Sequence, residues 1–315
     1  MKIFYTFIIY IGILSATITS IDIRPQNPKK DAASIKILDQ KELFFQTVNG
    51  VTFSEISDLA YYPGKKKLFM VSDEGKLFTF KAEFGNKIKL LKAVDAVELA
   101  KKNGKPFKPW EHDSEGLTLD GKGRLIISFE GKAKIGYFHK NSNKYGRMIR
   151  KYKLPVKLRN STNYRSRNKS LEALAWHPKY GILTASEWPL RNMDKKYQTV
   201  YSLKGKEWHF KAGKEPKSAI TAIEVMDDGN LLILERAFSN VFEPLVITLK
   251  KVYLNRCKHG ICYSKILAKL NSHKGWSIDN FEGLAKVGKN RYLMVSDDNG
   301  NFFQKTLLIY FEILP

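Results

Sequence analysis

Four pairs of acidic residues recur along the chain at one fixed spacing and could together bind a cation. The two acids of each pair are 15 positions apart. The pairs are Asp58 with Asp73, Glu115 with Glu130, Glu172 with Glu187, and Glu282 with Asp297. Two carboxylates a few ångströms apart repel by about 1 kcal/mol in water and by more where solvent is limited. If the fold gathers these acids, bound cations, raised pKa values or basic partners must offset the repulsion.

Bound calcium is the sharpest of these alternatives. Hard divalent cations prefer oxygen ligands, and calcium tolerates irregular sets of carboxylates, carbonyls and amides. The predicted metal ligands are Asp58, Asp73, Glu115, Glu130, Glu172, Glu282, Asp297 and Asp298. An ion pair with Arg236, or acids that cap turn amides in a purely structural role, would also satisfy the pattern.

Each acid pair flanks a short apolar strand, a polar turn and a second apolar strand. The units begin at positions 58, 115, 172, 222 and 282, and the unit from Ala222 to Glu235 lacks the first acid. Repeats of 50 to 60 residues suit one four-stranded propeller blade. The sequence therefore predicts an all-β fold, a β-propeller of five or six four-stranded blades, with the acids gathered at one rim.

Strands from both ends of the chain are expected to close the propeller. Ser34–Leu38 and Leu307–Glu312 are apolar segments that could complete one blade and remove its exposed edges. A helical turn is predicted at Asp95 to Lys101. The domain prediction is a polar lead over residues 21–33 and a propeller over residues 34–315.

The first 20 residues have the pattern of a secretory signal peptide. Lys2 precedes an apolar run and a tail of mostly small residues, with cleavage predicted after Ser20. An uncleaved anchor is the alternative, although the apolar run is shorter than the roughly 20 residues that a span needs. We expect a periplasmic or secreted monomer with no membrane span after signal removal.

The formal net charge is +23, mostly from lysines scattered over separate turns. This distribution favours a solvated surface over a nucleic-acid partner, although its field could attract small anionic ligands. Cys257 and Cys262 are the only cysteines, and a disulfide is their simplest role in an exported protein. Metal binding by both thiolates and His259 is the alternative.

Several short motifs, in order, resemble the phytase-like family described as having esterase-like activity of phytase. These motifs are Ile56-Ser57-Asp58-Leu59-Ala60, Asp113-Ser114-Glu115-Gly116-Leu117, Leu171-Glu172-Ala173-Leu174, Leu232-Ile233-Leu234-Glu235-Arg236, Phe281-Glu282-Gly283-Leu284-Ala285 and Val295-Ser296-Asp297-Asp298-Asn299. The resemblance implies an exported β-propeller that hydrolyses phosphate or other esters with calcium on an acidic face. Ala222 replaces an acid that the family pattern leads us to expect, which would weaken a full metal cluster.

The function predicted from these features is calcium-assisted ester hydrolysis. The chain has no G-x-S-x-G, H-E-x-x-H or phosphate-binding loop motif. Calcium on Glu115, Glu172, Glu282 and Asp297 would neutralise the ester and activate water, with Glu187 or Glu235 as base and Arg191 or Arg236 holding the anion. The alternative is a non-catalytic periplasmic propeller that binds a small ligand or a protein partner.

Overall fold

The fold is built almost entirely of antiparallel β-sheet. The computed structural model describes residues 16–28, 31–140, 143–166, 168–240 and 242–315. The strands are β1 (Ala16–Ser20), β2 (Ile35–Phe45), β3 (Thr47–Val48), β4 (Val51–Thr52), β5 (Ile56–Tyr62), β6 (Lys67–Ser72), β7 (Lys76–Phe84), β8 (Ile88–Glu98), β9 (Ser114–Leu119), β10 (Leu125–Phe129), β11 (Lys134–Phe138), β12 (Met148–Lys151), β13 (Leu171–His177), β14 (Gly181–Ser186), β15 (Tyr197–Ser202), β16 (Glu207–Lys211), β17 (Ala219–Val225), β18 (Leu231–Ala237), β19 (Val246–Lys258), β20 (Ile261–Asn271), β21 (Asn280–Gly288), β22 (Arg291–Asp297) and β23 (Leu307–Ile313). Within the described ranges the one α-helix is α1 (Val156–Arg159).

The strands form successive four-stranded meanders. β5 to β8 make one sheet and β9 to β12 another. The next two meanders, β13 to β16 and β17 to β20, join into an eight-stranded sheet through a short parallel pairing of β16 with β20. The last sheet has the order β21, β22, β23, β2, β1.

Strands from both chain ends share this last sheet, as predicted. β2 pairs antiparallel with β23, from Ile35 opposite Ile313 to Glu42 opposite Leu307. The first strands of the meanders, β5, β9, β13, β17 and β21, contact one another in cyclic order. This is the arrangement of a β-propeller, in which the innermost strands surround a central axis.

The inner strands pack very closely, and small residues make this approach possible. A Cβ on Gly116 of β9 would lie 2.7 Å from the backbone nitrogen of Leu174 in β13, and one on Gly283 of β21 would lie 2.8 Å from the Cα of Asp58 in β5. Larger side chains fill the space between neighbouring sheets, where Trp208, Trp276 and Tyr292 are almost fully buried. Dense apolar packing of this kind fixes the relative positions of the hairpin ends.

Two local predictions have clear outcomes. Cys257 and Cys262 form a disulfide at the tip of the β19–β20 hairpin, which confirms the predicted bond and leaves no thiolate for a metal. The helical turn predicted at Asp95 to Lys101 is wrong, because β8 pairs with β7 as far as Glu98. Cross-strand pairing there overrides the local helix propensity.

The signal-peptide prediction lies mostly outside the described residues, which begin at position 16. Ala16–Ser20 forms β1, the outermost strand of its sheet, and pairs with β2 from Ala16 opposite Phe45 to Ser20 opposite Lys41. Cleavage after Ser20 stays a prediction, and it would remove this edge strand. In the described part of the chain, no helix has the length and apolar character needed to span a membrane.

Candidate metal centre at the acidic rim

A β-bulge interrupts each inner hairpin at the end where its inner strand begins. Glu172 and Glu282 each lie in such a bulge, since Leu171 pairs with Ser186 and Ala173 with Ala185, and since Phe281 pairs with Ser296 and Gly283 with Val295. Glu115 lies in the corresponding irregularity of β9. Bulges redirect side chains and recur beside active sites. The bulges therefore bring these three glutamates to the same end of the propeller.

The acids of the β9–β10, β13–β14 and β21–β22 hairpins and one acid that follows the β5–β6 hairpin form a single cluster, which we call the acidic rim. Its members are Asp73, Asp113, Glu115, Glu130, Glu172, Glu187, Glu282 and Asp297. Each of them lies close enough to another member for mutual carboxylate repulsion, which contributes to several raised pKa values. The predicted gathering of acids is thus found for seven of the residues named from the sequence.

The tightest part of the rim is a buried trio. Glu130, Glu172 and Glu187 each offer a carboxylate oxygen, and these three oxygens lie within 4.8 Å of one another. Asp113, Glu115 and Glu130 form a second such group. Burial, followed by repulsion from neighbouring carboxylates, raises the pKa of Glu130 to about 8 and holds the pKa of Glu172 well above its usual range.

The pKa values of two further acids of the rim, Asp73 and Asp297, are also raised. Burial raises the pKa of Asp73 to about 8, and repulsion from Glu55 and Asp113 adds to the shift. Burial and the neighbouring Glu282 raise the pKa of Asp297 to about 9. Among the described residues, none donates a hydrogen bond to the buried Oδ1 of Asp73. That oxygen has an unused lone pair next to other carboxylates.

Two basic side chains offset part of this charge. Nη1 of Arg236 lies 2.5 Å from Oε1 of Glu282, and its Nη2 lies 3.3 Å from Oε1 of Glu187. Arg236 also donates to Oδ1 of Asn280. Nζ of Lys169 contacts Oε2 of Glu187 and lies 5.7 Å from the ring centre of Trp188.

The carboxylates of the acidic rim fit a hard divalent cation. Eight carboxyl groups share two basic partners, and all the candidate ligands are oxygen atoms, the type that calcium prefers. The unpartnered oxygen of Asp73 is a further position that a cation could satisfy. Glu130, Glu172 and Glu187, with Glu115 beside them, are the residues that would hold the ion.

Asp58 does not lie on the rim. Its Oδ1 accepts hydrogen bonds from the amides of Leu59 and Leu284 at 2.8 and 3.0 Å, and its Oδ2 accepts from the amide of Leu117 at 2.7 Å. The bulge of β5 falls at Ser57, so Asp58 lies one residue beyond the position of the rim glutamates. Both carboxylate oxygens are used inside the barrel of inner strands, which leaves Asp58 no part in the proposed metal centre.

The β17–β18 hairpin contributes a basic side chain, Arg236, at the position where other hairpins contribute an acid. Its bulge falls at Thr221, since Ile220 pairs with Glu235 and Ala222 with Leu234. Ala222 therefore corresponds to Asp58, not to a rim acid, and Arg236 takes the place that Glu187 and Asp297 hold in their hairpins. The substitution at Ala222 consequently removes no carboxylate from the rim.

Three further predicted site residues have structural partners. Glu235 is buried and receives both hydrogen bonds of an ion pair with Lys250, at 2.8 and 2.7 Å. Asp298 accepts from the amides of Glu55 and Gly300 and from the hydroxyl of Thr306. The Arg191 guanidinium donates to the carbonyl oxygens of Tyr164 and Arg165. Glu235 and Arg191 are thus held by partners outside the acidic rim, whereas Asp298 lies near enough to Asp297 to help raise its pKa.

Two residues of the site, Asp113 of the acidic rim and Lys169 beside it, were not among the predicted site residues. Asp113 precedes Glu115 by two positions, and its place in the acidic segment before β9 was a usable signal. Lys169 lies directly before the third repeat, but its pairing with Glu187 depends on the path of the preceding loop. Spacing within a repeat carries no information about that path.

Stability should fall as pH rises in the absence of calcium. Asp73, Glu130 and Asp297 have pKa values of about 8, 8 and 9 when folded, against about 4 when unfolded. Between pH 5 and 8 the folded protein therefore binds more protons than the unfolded chain, so the free energy of unfolding decreases with pH. We expect a slope of at least about 1.4 kcal/mol per pH unit, the value for one proton.

Urea denaturation in chelator at several pH values would measure this slope. Saturating calcium should flatten the slope, because the ion replaces protons at the rim. Calorimetric titration of calcium at pH 7 in buffers of different ionisation enthalpy should then show proton release. A slope near zero in chelator would mean that the rim carboxyls are ionised without a metal.

The fold and the site together define a β-propeller protein with an acidic, carboxylate-lined site at one end of its axis. The family described as phytase-like, with esterase-like activity of phytase, matches residues 51–300. The chain belongs to this phytase-like family, which confirms the resemblance seen in the motifs. The match spans all five inner strands and every residue of the acidic rim.

Comparisons with other proteins are more distant. No curated protein matches the chain. The PQQ-bound aldose sugar dehydrogenase from Streptomyces coelicolor is similar in structure, with a TM-score of 0.46 and 12% identity over 89% of this chain and 98% of that one. An inactive variant of virginiamycin B lyase from Staphylococcus aureus with quinupristin has a TM-score of 0.43 and 9% identity over 95% of this chain and 100% of the lyase chain. At these TM-scores the likeness says nothing about the activity of this chain.

Proposed function

We propose that this protein is an exported hydrolase of phosphate or carboxylic esters that works with a divalent cation, calcium, at the acidic rim. The observation that supports this proposal most directly is the buried trio of Glu130, Glu172 and Glu187, whose oxygens lie within 4.8 Å of one another. Membership of the phytase-like family supports the same class of reaction. We also propose that five blades complete the propeller, since the five inner strands contact one another in a closed cycle.

The bound cation would neutralise the anionic ester and lower the pKa of an attacking water. The chain's own residues would supply the rest. With the cation held by Glu130, Glu172 and Glu187, the unpartnered Oδ1 of Asp73 would stay free to accept a proton. Glu187 and Glu235 are less suitable as bases, because each already pairs with a basic side chain. A base with a pKa near the working pH is also the more effective one.

Lys169 is the best-placed basic residue for the substrate anion. Its nitrogen contacts Glu187 at the rim, and its side chain is 26% exposed. Arg191 donates to backbone carbonyls away from the trio, and Arg236 is held between Glu187 and Glu282. We therefore assign Arg236 to neutralising the rim and Lys169 to orienting the ester.

Hydrolysis of p-nitrophenyl phosphate and p-nitrophenyl acetate, with calcium or with chelator, tests the proposal. Wild-type protein should hydrolyse at least one of these esters only with calcium. Glu172→Gln removes a charged ligand from the trio and should lower kcat/KM by roughly 100-fold. Glu243→Gln, which changes an exposed acid, is the matched control and should have no effect.

A non-catalytic propeller that binds a small ligand or protein partner is the second candidate. The observation that favours it is the pairing of Lys169 and Arg236 with the rim acids, which offsets charge without a metal. The ester-hydrolysis assay, combined with a calcium titration of Tm, separates the two functions. If calcium raises Tm by mass action but no ester is hydrolysed, the rim is a binding site and the hydrolase proposal fails.

A further inference from the structure

A second site of opposite charge lies on the flank of the blade formed by β9 to β12. A cavity of about 680 Å³ opens there, between the loop that follows β8 and the outer strands β11 and β12. Five basic side chains line the cavity, and Glu111 is its one acidic residue. The basic residues are Lys101, Lys102, Lys134, Arg150 and Lys151.

Lys134 is the unusual member of this cavity. It is 5% exposed, and its ammonium group lies 3.9 Å from the ring centre of Phe129 and 4.8 Å from that of Phe107. Nζ donates to the backbone carbonyl of Glu111. Within the described ranges no carboxylate is in ion-pair contact with it, and Glu111 and Asp113 attract it only at longer range. Buried charges in proteins are normally paired. The contacts of Lys134 are a carbonyl oxygen and aromatic rings, so it has no counter-ion within ion-pair distance.

The carboxylate of Glu111 does not take that role. It lies 2.6 Å from Nζ of Lys101 and 3.8 Å from Nζ of Lys132, so it is already shared between two other lysines. The cavity therefore keeps an excess of positive charge around a buried ammonium group. Burial lowers the pKa of Lys134 to about 7, and a bound anion would favour its charged form.

We propose that this cavity is a binding site for a phosphate-class oxyanion, either the free ion or a monoester. The oxyanion would be the missing counter-ion of Lys134, and Arg150 and Lys151 of the neighbouring strand β12 also line the cavity. Arginine binds phosphate and related oxyanions through paired hydrogen bonds, and lysine acts as a point charge. Phe107 and Met148 supply an apolar wall, which suits a monoester with an aromatic or aliphatic group.

This site is separate from the acidic rim and does not depend on the proposed hydrolase activity. The rim collects carboxylates and would take a cation, whereas the flank cavity collects ammonium and guanidinium groups. Loss of ester hydrolysis in Glu172→Gln would leave oxyanion binding unchanged.

Isothermal titration calorimetry with inorganic phosphate and with phenyl phosphate, in chelator, tests the site. Wild-type protein should bind both, and phenyl phosphate should bind several-fold more tightly because of the apolar wall. Lys134→Met should weaken phosphate binding at least 10-fold. Lys206→Met is the matched control, because Lys206 also lies over two aromatic rings, at 5.0 Å from Tyr180 and 5.5 Å from Trp208, but outside the cavity.

A second variant tests the site even if Lys134→Met does not fold. Lys151 is exposed at the end of β12, so Lys151→Met should fold normally and still weaken phosphate binding about 3-fold or more, as loss of one contacting charge. Equal phosphate affinity in wild type, Lys134→Met and Lys151→Met would overturn the proposal. So would phosphate binding that disappears in Glu172→Gln, since that result would place the anion at the rim.

Discussion

Replacing Arg236 by methionine should lower the free energy of unfolding by about 3–5 kcal/mol in chelator at pH 7, as expected when one partner of a buried ion pair is removed. The Arg236 side chain is 19% exposed, and its guanidinium contacts Glu187, Glu282 and Asn280. Without it, two carboxylates of the acidic rim lose a nearby positive charge. The cost should be smaller at pH 5, because burial raises the pKa of Glu282 and this carboxyl can then take up a proton instead.

Urea denaturation measures this loss, and two comparisons define its origin. Lys305→Met removes an exposed ion pair with Glu42 at 2.8 Å and should cost less than about 1 kcal/mol. Combining Arg236→Met with Glu282→Gln should recover part of the stability, because contacting residues are not additive. Millimolar calcium should also recover part of it if the rim holds a cation. A loss below about 1 kcal/mol for Arg236→Met would contradict the ion-pair role assigned to Arg236.

The repeat spacing predicted the ends of the hairpins better than the contacts between them. Pairs such as Glu172 with Glu187 lie within one hairpin, so a constant turn length brings them to the same end of the blade. The same 15-residue spacing misassigned Asp58. The turn after β5 contains the short 3-10 helix Pro63–Lys65, and the rim positions of that hairpin are Ser57 and Asp73, 16 residues apart.

Contacts between blades could not be predicted in this way. Arg236 meets Glu187 and Glu282, which belong to the hairpins on either side of its own. Lys169 meets Glu187 from a loop, and Glu235 turns away from the rim toward Lys250. The Arg236 pairings depend on how neighbouring sheets pack around the axis. Lys169 and Lys250 belong to the same blades as their partners but lie outside the repeated hairpins, so no motif within a repeat records their contacts.

Asp58→Ala should lower the free energy of unfolding by about 3 kcal/mol or more, because each buried backbone amide left without an acceptor costs about 1–3 kcal/mol. The Asp58 carboxylate accepts from Leu59 in its own strand, from Leu117 in β9 and from Leu284 in β21. It therefore links three of the inner strands that surround the axis. Leu117 and Leu284 should lose hydrogen-exchange protection at the same time, since their amides lose the acceptor.

The effect of Asp58→Ala on calcium binding separates a structural residue from a metal ligand. Because both Asp58 oxygens are used by amides and none faces the carboxylate trio, calcium affinity measured by calorimetry should change less than 3-fold. Ser57→Ala is the neighbouring control. Its hydroxyl makes one hydrogen bond, at 3.5 Å to the carbonyl of Glu55, so its loss should cost less than about 1 kcal/mol. The opposite result would be an Asp58→Ala protein that keeps full stability but loses calcium affinity as severely as Glu172→Gln. Asp58 would then be a metal ligand, and the bulge at Ser57 would not explain which residues reach the rim.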